Sequence, residues 1–428
     1  MIPLITPRSE HPISRKSIDE EALKVLYRLH RHGFLAYLVG GSVRDLFLGK
    51  VPKDFDVATN AHPHEINTLF KNSRMIGRRF RLTHVFFKGA KIIEVSTFRS
   101  HSEFEEIQTE DGNVVRTDSF GTPEEDALRR DLTVNGLFYN IADFSIIDYV
   151  GGLDDLNHGI IRTIGDPNER FQQDPVRMIR TLRHASRTGF SIEEETYQAI
   201  LRHRDEIRKC SPSRVRDEFM RDLKEGAARP SLHRMLETGL LFSLFPDLQR
   251  AYGVQSLLQD KNKQLLLSLF ELVDQLNQTG RRVSEATLLA LFLVPFLRAV
   301  IPEHPFLGEK ERAGYLEQTI RLSLYQILTP FSVPKGVKEM TYQIWIAQSY
   351  LRKALQGGMV PRRLRMKKYF QEAVLFYGIE AQARGGKVPW LLRNSVPPDS
   401  LPWWPQEART LRRRRRRSGR RHVPQNGT

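Results

Sequence analysis

Two aspartates separated by one residue, Asp54 and Asp56, lie in the run LVGGSVRDLFLGKVPKDFDVAT (38–59), just beyond Gly40 and Gly41. In a strand over DFDVA (54–58) side chains alternate, so both carboxylates share one face while Phe55 and Val57 enter the core. Carboxylates that close repel each other unless a cation lies between them. Oxygen ligands of this kind suit Mg²⁺, which also takes the phosphate oxygens of a substrate. The two glycines allow close approach of backbone to a phosphate, and the helix after them aims its N–H groups at the same anion. Alone, a glycine turn or a pair of acids at a strand end is commonplace on a solvated surface. Together they point to metal-assisted phosphate chemistry.

A third acid fits the same geometry. In KIIEVST (91–97), Ile93 and Val95 face one way and Glu94 the other, so a neighbouring strand aims Glu94 at the pair. Three such carboxylates suit a two-metal site, which activates an attacking hydroxyl and stabilises the leaving oxygens. Glu94 reads equally well as an exposed or arginine-paired glutamate.

The elements that must hold these acids follow from periodicity. Ile18, Ala22, Val25, Leu26 and Leu29 recur at helical spacing, and Ser17 with Glu20 gives a capping-box pattern at the start of that helix. A strand over AYLV (36–39), the glycine turn and a short helix over 42–48 come next. Further strands are expected at 54–58, 84–87, 91–97 and 145–149. Beyond about residue 150 the pattern is almost wholly helical, as in 174–189, 264–277, 286–299 and 366–384. Joints or loops are expected at the Pro/Gly-rich stretches 301–308, 356–361 and 385–405. The fold class is α+β, a small sheet-and-helix part to about residue 150 followed by an all-α remainder.

Composition narrows the partners. The chain has 428 residues, a net charge of +16 and one cysteine, Cys210. That excludes an intramolecular disulfide framework and suits a reducing cytoplasm. No apolar run approaches the roughly 18 residues of a membrane helix, so no membrane partner is expected. Nine arginines and no acid lie between Ala408 and Thr428. Six consecutive arginines repel one another, so this tail is expected to be disordered and to seek a polyanion, nucleic acid before lipid.

GGSVRD followed by DFD resembles the nucleotidyltransferase superfamily of DNA polymerase β type, and within it the class II branch of bacterial poly(A) polymerases and CCA-adding enzymes. EEDALRRDLTVNGLFYN (124–140), IDYVGGLDDLNHGIIRTIGDP (147–167) and QDPVRMIRTLRHASRTGF (173–190) resemble that branch's second motif, head-to-neck joint and base-reading helix. KNSRMIGRRFRLTHVFF (71–87) and FGTPEEDALRRD (120–131) are similar to the poly(A) polymerases in particular. The resemblance implies transfer of AMP from ATP to RNA 3′ ends with two Mg²⁺ ions, and RNA-decay proteins as candidate partners. It also implies an N-terminal extension and helix (1–33), a nucleotidyltransferase head (34–150), an all-α neck that binds the nucleotide base and RNA (151–225), a helical, RNA-binding body (226–400) and the arginine-rich tail (401–428). The CCA-adding enzyme is the alternative, and an inert head on an RNA-binding protein is a second.

The resemblance also assigns residues. Asp54, Asp56 and Asp131 would form the catalytic set, with Asp54, Asp56 and Glu94 on the metals. Gly40, Gly41, Arg44, Arg129, Arg130, Asp131, Asn135, Asp174, Arg177 and Arg180 would hold the nucleotide. Arg129 and Arg130 offer planar donors, to phosphate or in an internal ion pair with Glu124, Glu125 or Asp126. Asp174 and Arg177, i and i+3 on one helix face, would read adenine at N6 and N1. By pattern alone, Asp174 before Pro175 reads first as a helix N-cap. Arg180, Arg183 and Arg187 would continue the basic face. Leu132, Gln173 and His184 depart from the family, where phenylalanine, glutamate and phenylalanine are usual. His62, His64, Trp403 and Trp404 are read as structural.

Overall fold

The computed structural model of the chain describes residues 2–77, 82–100, 105–108, 114–117, 120–249, 257–301, 309–357 and 359–386. The arginine-rich tail, Trp403 and Trp404 lie outside these residues. The chain divides into two units, Met1–Glu206 and Ile207–Thr428. Residues 151–225, expected as one neck, are therefore shared between units.

An eight-stranded sheet organises the first unit. Its strands are β1 (Leu4–Thr6), β2 (Ala36–Val39), β3 (Asp56–Thr59), β4 (Ser73–Ile76), β5 (Leu82–Phe86), β6 (Ile92–Thr97), β9 (Leu137–Asn140) and β10 (Ile146–Asp148). They run in the order β1-β10-β9-β2-β3-β6-β5-β4, while β7 (Glu105–Gln108) and β8 (Val114–Thr117) pair separately. Every pairing in the large sheet is antiparallel except β3 with β6. Because β1 pairs with β10, the first residues of the chain belong to the sheet; a three-residue strand is too short to leave a period of two. Both faces of β2 are covered, which is why AYLV is apolar throughout.

Helix α1 (Glu20–Arg31) covers one face. Ala22, Val25, Leu26 and Leu29 are fully buried against Leu38, Val57, Ile93 and Val95, and each large side chain contributes about 2 kcal/mol. The N-cap is Asp19, whose carboxylate accepts from the amides of Glu21 and Ala22 at 3.0 and 3.3 Å. It is not the expected Ser17, which ends a 3₁₀ turn over Arg15–Ser17; Lys91 pairs with the Asp19 carboxylate from another part of the chain. The other face carries a smaller core of Tyr37, Val39, Ala58, Phe98, Phe138, Ile147 and Ala127, the last from α4 (Pro123–Leu128). Helices α2 (Gly41–Phe47) and α3 (Pro63–Leu69) lie between the strands in sequence. The unit continues through α5 (Gly152–His158), α6 (Pro167–Gln173), α7 (Val176–Thr188) and α8 (Glu194–His203). Gly152 is required at the start of α5, since a Cβ there would stand 2.2 Å from the Thr133 carbonyl oxygen. A departure from the all-helical expectation is the parallel pair β11 (Ile160–Ile161) and β12 (Ser191–Ile192); two-residue strands leave no sequence period.

Regular structure in the second unit is helical among the described residues: α9 (Pro212–Lys224), α10 (Ala228–Glu237), α11 (Leu240–Leu244), α12 (Leu257–Gln278), α13 (Glu285–Phe292), α14 (Val294–Val300), α15 (Glu309–Leu328), α16 (Lys335–Gln356), α17 (Arg362–Arg365) and α18 (Phe370–Ala383). Phe219, Phe245, Phe292 and Phe331 form an edge-packed aromatic centre. The buried Asp274 carboxylate caps α10 by accepting from the amides of Ala228 and Arg229 at 2.8 and 2.9 Å. Among the described residues no helix is long and apolar enough to cross a membrane.

Candidate active site

The sheet face opposite α1 is only partly covered, and its uncovered part holds the acids. Val39 pairs with Asp56, Asp56 with Glu94, Glu94 with His84, and His84 with Arg74, a single row across five strands. Asp56 opens β3, so Asp54 lies in the approach to the strand instead of inside it. The β2–β3 ladder ends there because β2 stops at Val39 and Gly40 turns the chain at φ 73°. Asp56 and Glu94 remain solvent-exposed.

Crowding by protein and the charges of Glu94 and Asp54 push the Asp56 pKa up to about 6, against the opposing pull of Arg130. Glu94 lies 3.4 Å from His84 Nε2 through its Oε1. Among the described residues, no three His, Cys, Asp or Glu side chains are gathered closely enough to cage a metal ion. Two neighbouring carboxylates could still take part in holding Mg²⁺. Mg²⁺ is held by one or two carboxylates and completes its shell with water and substrate phosphate, and the mutual repulsion at Asp56 is the charge it would neutralise.

Arg130 closes one side of this patch. Its Nε and Nη2 donate to Asp126 Oδ2 at 3.2 and 2.7 Å, and its guanidinium lies 5.2 Å over the Phe138 ring. The internal ion pair weighed for the two arginines therefore exists for Arg130, with Asp126. Gly40 sits between the two charges: a Cβ on it would lie 3.4 Å from Arg130 Nη1 and 4.0 Å from Asp56 Oδ2. Arg129 is half-buried at the end of α4.

Asp131, Asp174, Arg177 and Arg180 are brought together. Asp131 accepts Arg177 Nη1 at 2.9 Å on one oxygen and Arg180 Nη2 at 2.7 Å on the other. Arg177 Nε stands 3.9 Å from Asp174 Oδ2. Helix α7 begins at Val176 with no side-chain cap, so Asp174, which ends α6, is not its N-cap by side chain. Arg170, missed in the sequence, donates from Nη2 to the carbonyls of Leu128 and Arg130 at 3.1 and 2.8 Å. Its partners are 42 and 40 residues away, and no local pattern marks them.

Arg44 and Asn135 meet beneath the site. Arg44 is 3% exposed; it donates to Asp45 through Nε and Nη2, and to Asn135 Oδ1 and His184 Nδ1 through Nη1. Four of its five N–H donors are thus occupied inside the protein. Gly41 makes room for it, since a Cβ there would stand 3.4 Å from Arg44 Nη2. Burial, then the positive charges of Arg44, Arg183, Arg180 and Arg187, hold the His184 pKa well below its ordinary value. The imidazole is neutral and accepts. Arg183 is buried, 3% exposed, and so does not share an open basic face with Arg180; helix α7 turns that position into the core. Gln173 is exposed, and Leu132 is fully buried. His62 and His64 stack, and the His62 backbone N–H donates to Glu65 at the start of α3.

Residues 36–162 match the family described as the poly A polymerase head domain, and residues 189–252 the one described as a probable RNA and SrmB-binding site of polymerase A. The chain is 38% identical to poly(A) polymerase I of Salmonella typhi, over 88% of this chain and 82% of that one. Similarity to the CCA-adding enzyme of Bacillus velezensis is 34%, over 52% of this chain and 55% of that one. Among solved structures, the Bacillus stearothermophilus CCA-adding enzyme in complex with CTP aligns with a TM-score of 0.58 at 25% identity, covering 92% of this chain and 81% of that one.

Proposed function

The chain belongs to the poly(A) polymerase family, and from that premise we propose that it adds AMP from ATP to RNA 3′ ends without a template, through the acids on the open sheet face. The observation that carries the reading is the register pairing of Asp56 with Glu94, beside Gly40 and Arg130. In the reaction the RNA 3′ oxygen attacks the α-phosphorus of ATP, and the bond to the departing pyrophosphate breaks. Two Mg²⁺ ions, held by Asp54 and Asp56 with Glu94 adjacent, would supply hydroxyl activation and charge neutralisation.

The remaining work belongs to the chain's own groups. Gly40 keeps the space between Asp56 and Arg130 open, so that triphosphate oxygens would reach Arg130 directly and Asp56 across a bound cation. Arg130, held by Asp126, offers Nη1 to them. Arg177 is oriented by Asp131, and with Asp174 it presents a donor and an acceptor matching the pairing edge of adenine. Protein thereby reads the base that a template would otherwise select. Arg44, Asn135 and His184 support the turn from below.

Poly(A) addition is favoured over CCA addition because similarity to the poly(A) polymerase extends over 88% of this chain and to the CCA-adding enzyme over 52%. The segment 189–252 supports RNA, and a protein partner, as ligands there. A cytoplasmic setting suits the single cysteine. The test supplies Mg²⁺ with labelled ATP or CTP, and either generic RNA or tRNA lacking its CCA end. Extension of both RNAs by AMP alone is expected. Addition of CTP confined to the tRNA, or no addition, would overturn the proposal.

A further inference from the structure

Between Gln356 and Glu372 the chain carries no acid, yet five cations fall within seven residues: Arg362, Arg363, Arg365, Lys367 and Lys368. The segment is fixed from beneath. Val360 and Phe370 are buried with Ala347, Leu351, Ala354, Ala373 and Val374, and Leu364 packs on the same cluster. Backbone hydrogen bonds from Arg365 to Pro361, Met366 to Arg362 and Lys367 to Leu364, at 3.1 to 3.2 Å, hold the short α17 and the turn after it. With the underside anchored, all five cations are exposed.

Among the described residues none of the five forms an ion pair. Several basic residues elsewhere in this unit do: Arg216 with Asp217, Arg221 with Glu218, Lys224 with Glu285, Arg229 with Glu271 and Arg321 with Glu339. The next acid, Glu372, is engaged by the hydroxyls of Ser284 and Thr287. Five like charges within seven residues repel one another, a cost that a bound polyanion relieves. A row of exposed, unpaired cations on an anchored segment is what the phosphate backbone of a single-stranded nucleic acid tracks.

We propose that Arg362, Arg363, Arg365, Lys367 and Lys368 form a docking strip for the phosphate backbone of single-stranded RNA. The strip lies outside residues 189–252, which match the RNA-binding family. Its ligand follows from the reading of RNA as acceptor, and its function is to hold RNA that extends beyond the 3′ end being elongated.

The test measures binding of labelled single-stranded RNA to the full chain without ATP, from low to physiological salt. One variant is Arg362→Gln/Arg363→Gln/Arg365→Gln and a second is Lys367→Gln/Lys368→Gln. The control is Lys16→Gln/Lys335→Gln, which removes two exposed charges elsewhere. Loss of three phosphate contacts should flatten the plot of log affinity against log salt by about 2, and loss of two by about 1.4. The control should retain the native slope. In turnover assays KM for long RNA should rise in the strip variants while kcat at saturating RNA stays unchanged. Native slopes and KM in both strip variants overturn the inference. So does retention of the native protein, but not the variants, by phosphatidylserine vesicles with RNA affinity unaltered. Absence of AMP addition by the native chain would instead refute the function, and RNA binding is read separately from it.

Discussion

Asp56 and Glu94 occupy the same register position on adjacent parallel strands, so their carboxylates project from one face of the sheet as neighbours. Nothing local in the sequence places them together. The crossover from β3 to β6 does, and it is the one parallel pairing in an otherwise antiparallel sheet.

Replacing Asp54 or Asp56 with alanine should abolish nucleotide addition while RNA binding largely survives. Loss of a shared metal ligand removes several kcal/mol of transition-state stabilisation, on the order of a thousandfold or more in rate. Near-native turnover in either variant would refute the assignment. Glu94→Gln should slow the reaction as well; unchanged kinetics would leave Glu94 only its contact with His84.

The metal-free protein should titrate Asp56 near pH 6, because crowding and like charges disfavour its ionised form. The sign for stability is the reverse of a salt-bridged aspartate. A raised folded pKa means the folded state holds the proton more tightly than the unfolded one. This group therefore adds stability as pH falls from above 6 towards 4. Glu94→Gln should move the Asp56 titration down, and Arg130→Gln should move it up, as followed by carboxyl NMR. A shift in the opposite direction for either would contradict the charge arrangement.

Asp174 and Arg177 should set the preference for ATP. Asp174→Ala or Arg177→Ala should raise incorporation of other nucleotides by more than it lowers the melting temperature. Arg177→Ala also strips Asp131 of one of its two cations, a loss of about 2 kcal/mol for a charged hydrogen bond. An Asp174→Ala protein that melts early but keeps its ATP preference would make the residue structural.

His184 should remain neutral throughout the physiological range. Its folded pKa is depressed, so the unfolded chain binds a proton below about pH 6.5 that the folded one refuses, and stability falls with acidification through that point. His184→Phe, the residue usual in the family, should flatten this acid limb relative to the native chain and deprive Arg44 of an acceptor. Identical pH profiles for the two proteins would place the acid sensitivity elsewhere.

The acids, the glycine turn and the strands around them were legible because their signals are local: alternation in KIIEVST, an apolar AYLV, and glycines before a short helix. What escaped was decided across the chain. Ser17 with Glu20 imitates a capping box, yet Ser17 ends a 3₁₀ turn and Asp19, paired with Lys91 from far along the chain, caps the helix. The basic stripe of α7 reads evenly from Arg180 to Arg187, but packing turns Arg183 inward. The clamp of Asp131 by Arg177 and Arg180 joins residues more than 40 apart, and Arg44 meets His184 over 140. No window of sequence contains such pairs. The family resemblance named several of these residues without saying that Arg44 and Asn135 bond to each other.

Deleting Ala408 to Thr428 should weaken RNA binding, chiefly at low salt, without touching the chemical step. The segment carries nine arginines and no acid, enough to neutralise several phosphates and release their counterions. Affinity of the full chain should therefore fall more steeply with salt than that of the truncated one, by about 0.7 in slope for each phosphate contacted. A charged tether of this kind acts by raising the local concentration of RNA and not by shaping the active centre. The truncated enzyme should accordingly show a higher KM for RNA and a similar kcat once RNA saturates. If truncation and the Arg362–Lys368 strip contact separate stretches of RNA, their slope losses add in the combined variant; if they compete for one stretch, the second loss is smaller than the first. Equal slopes for full and truncated chains would mean that the tail does not engage RNA phosphates, leaving an acidic protein surface or an anionic membrane as its partner.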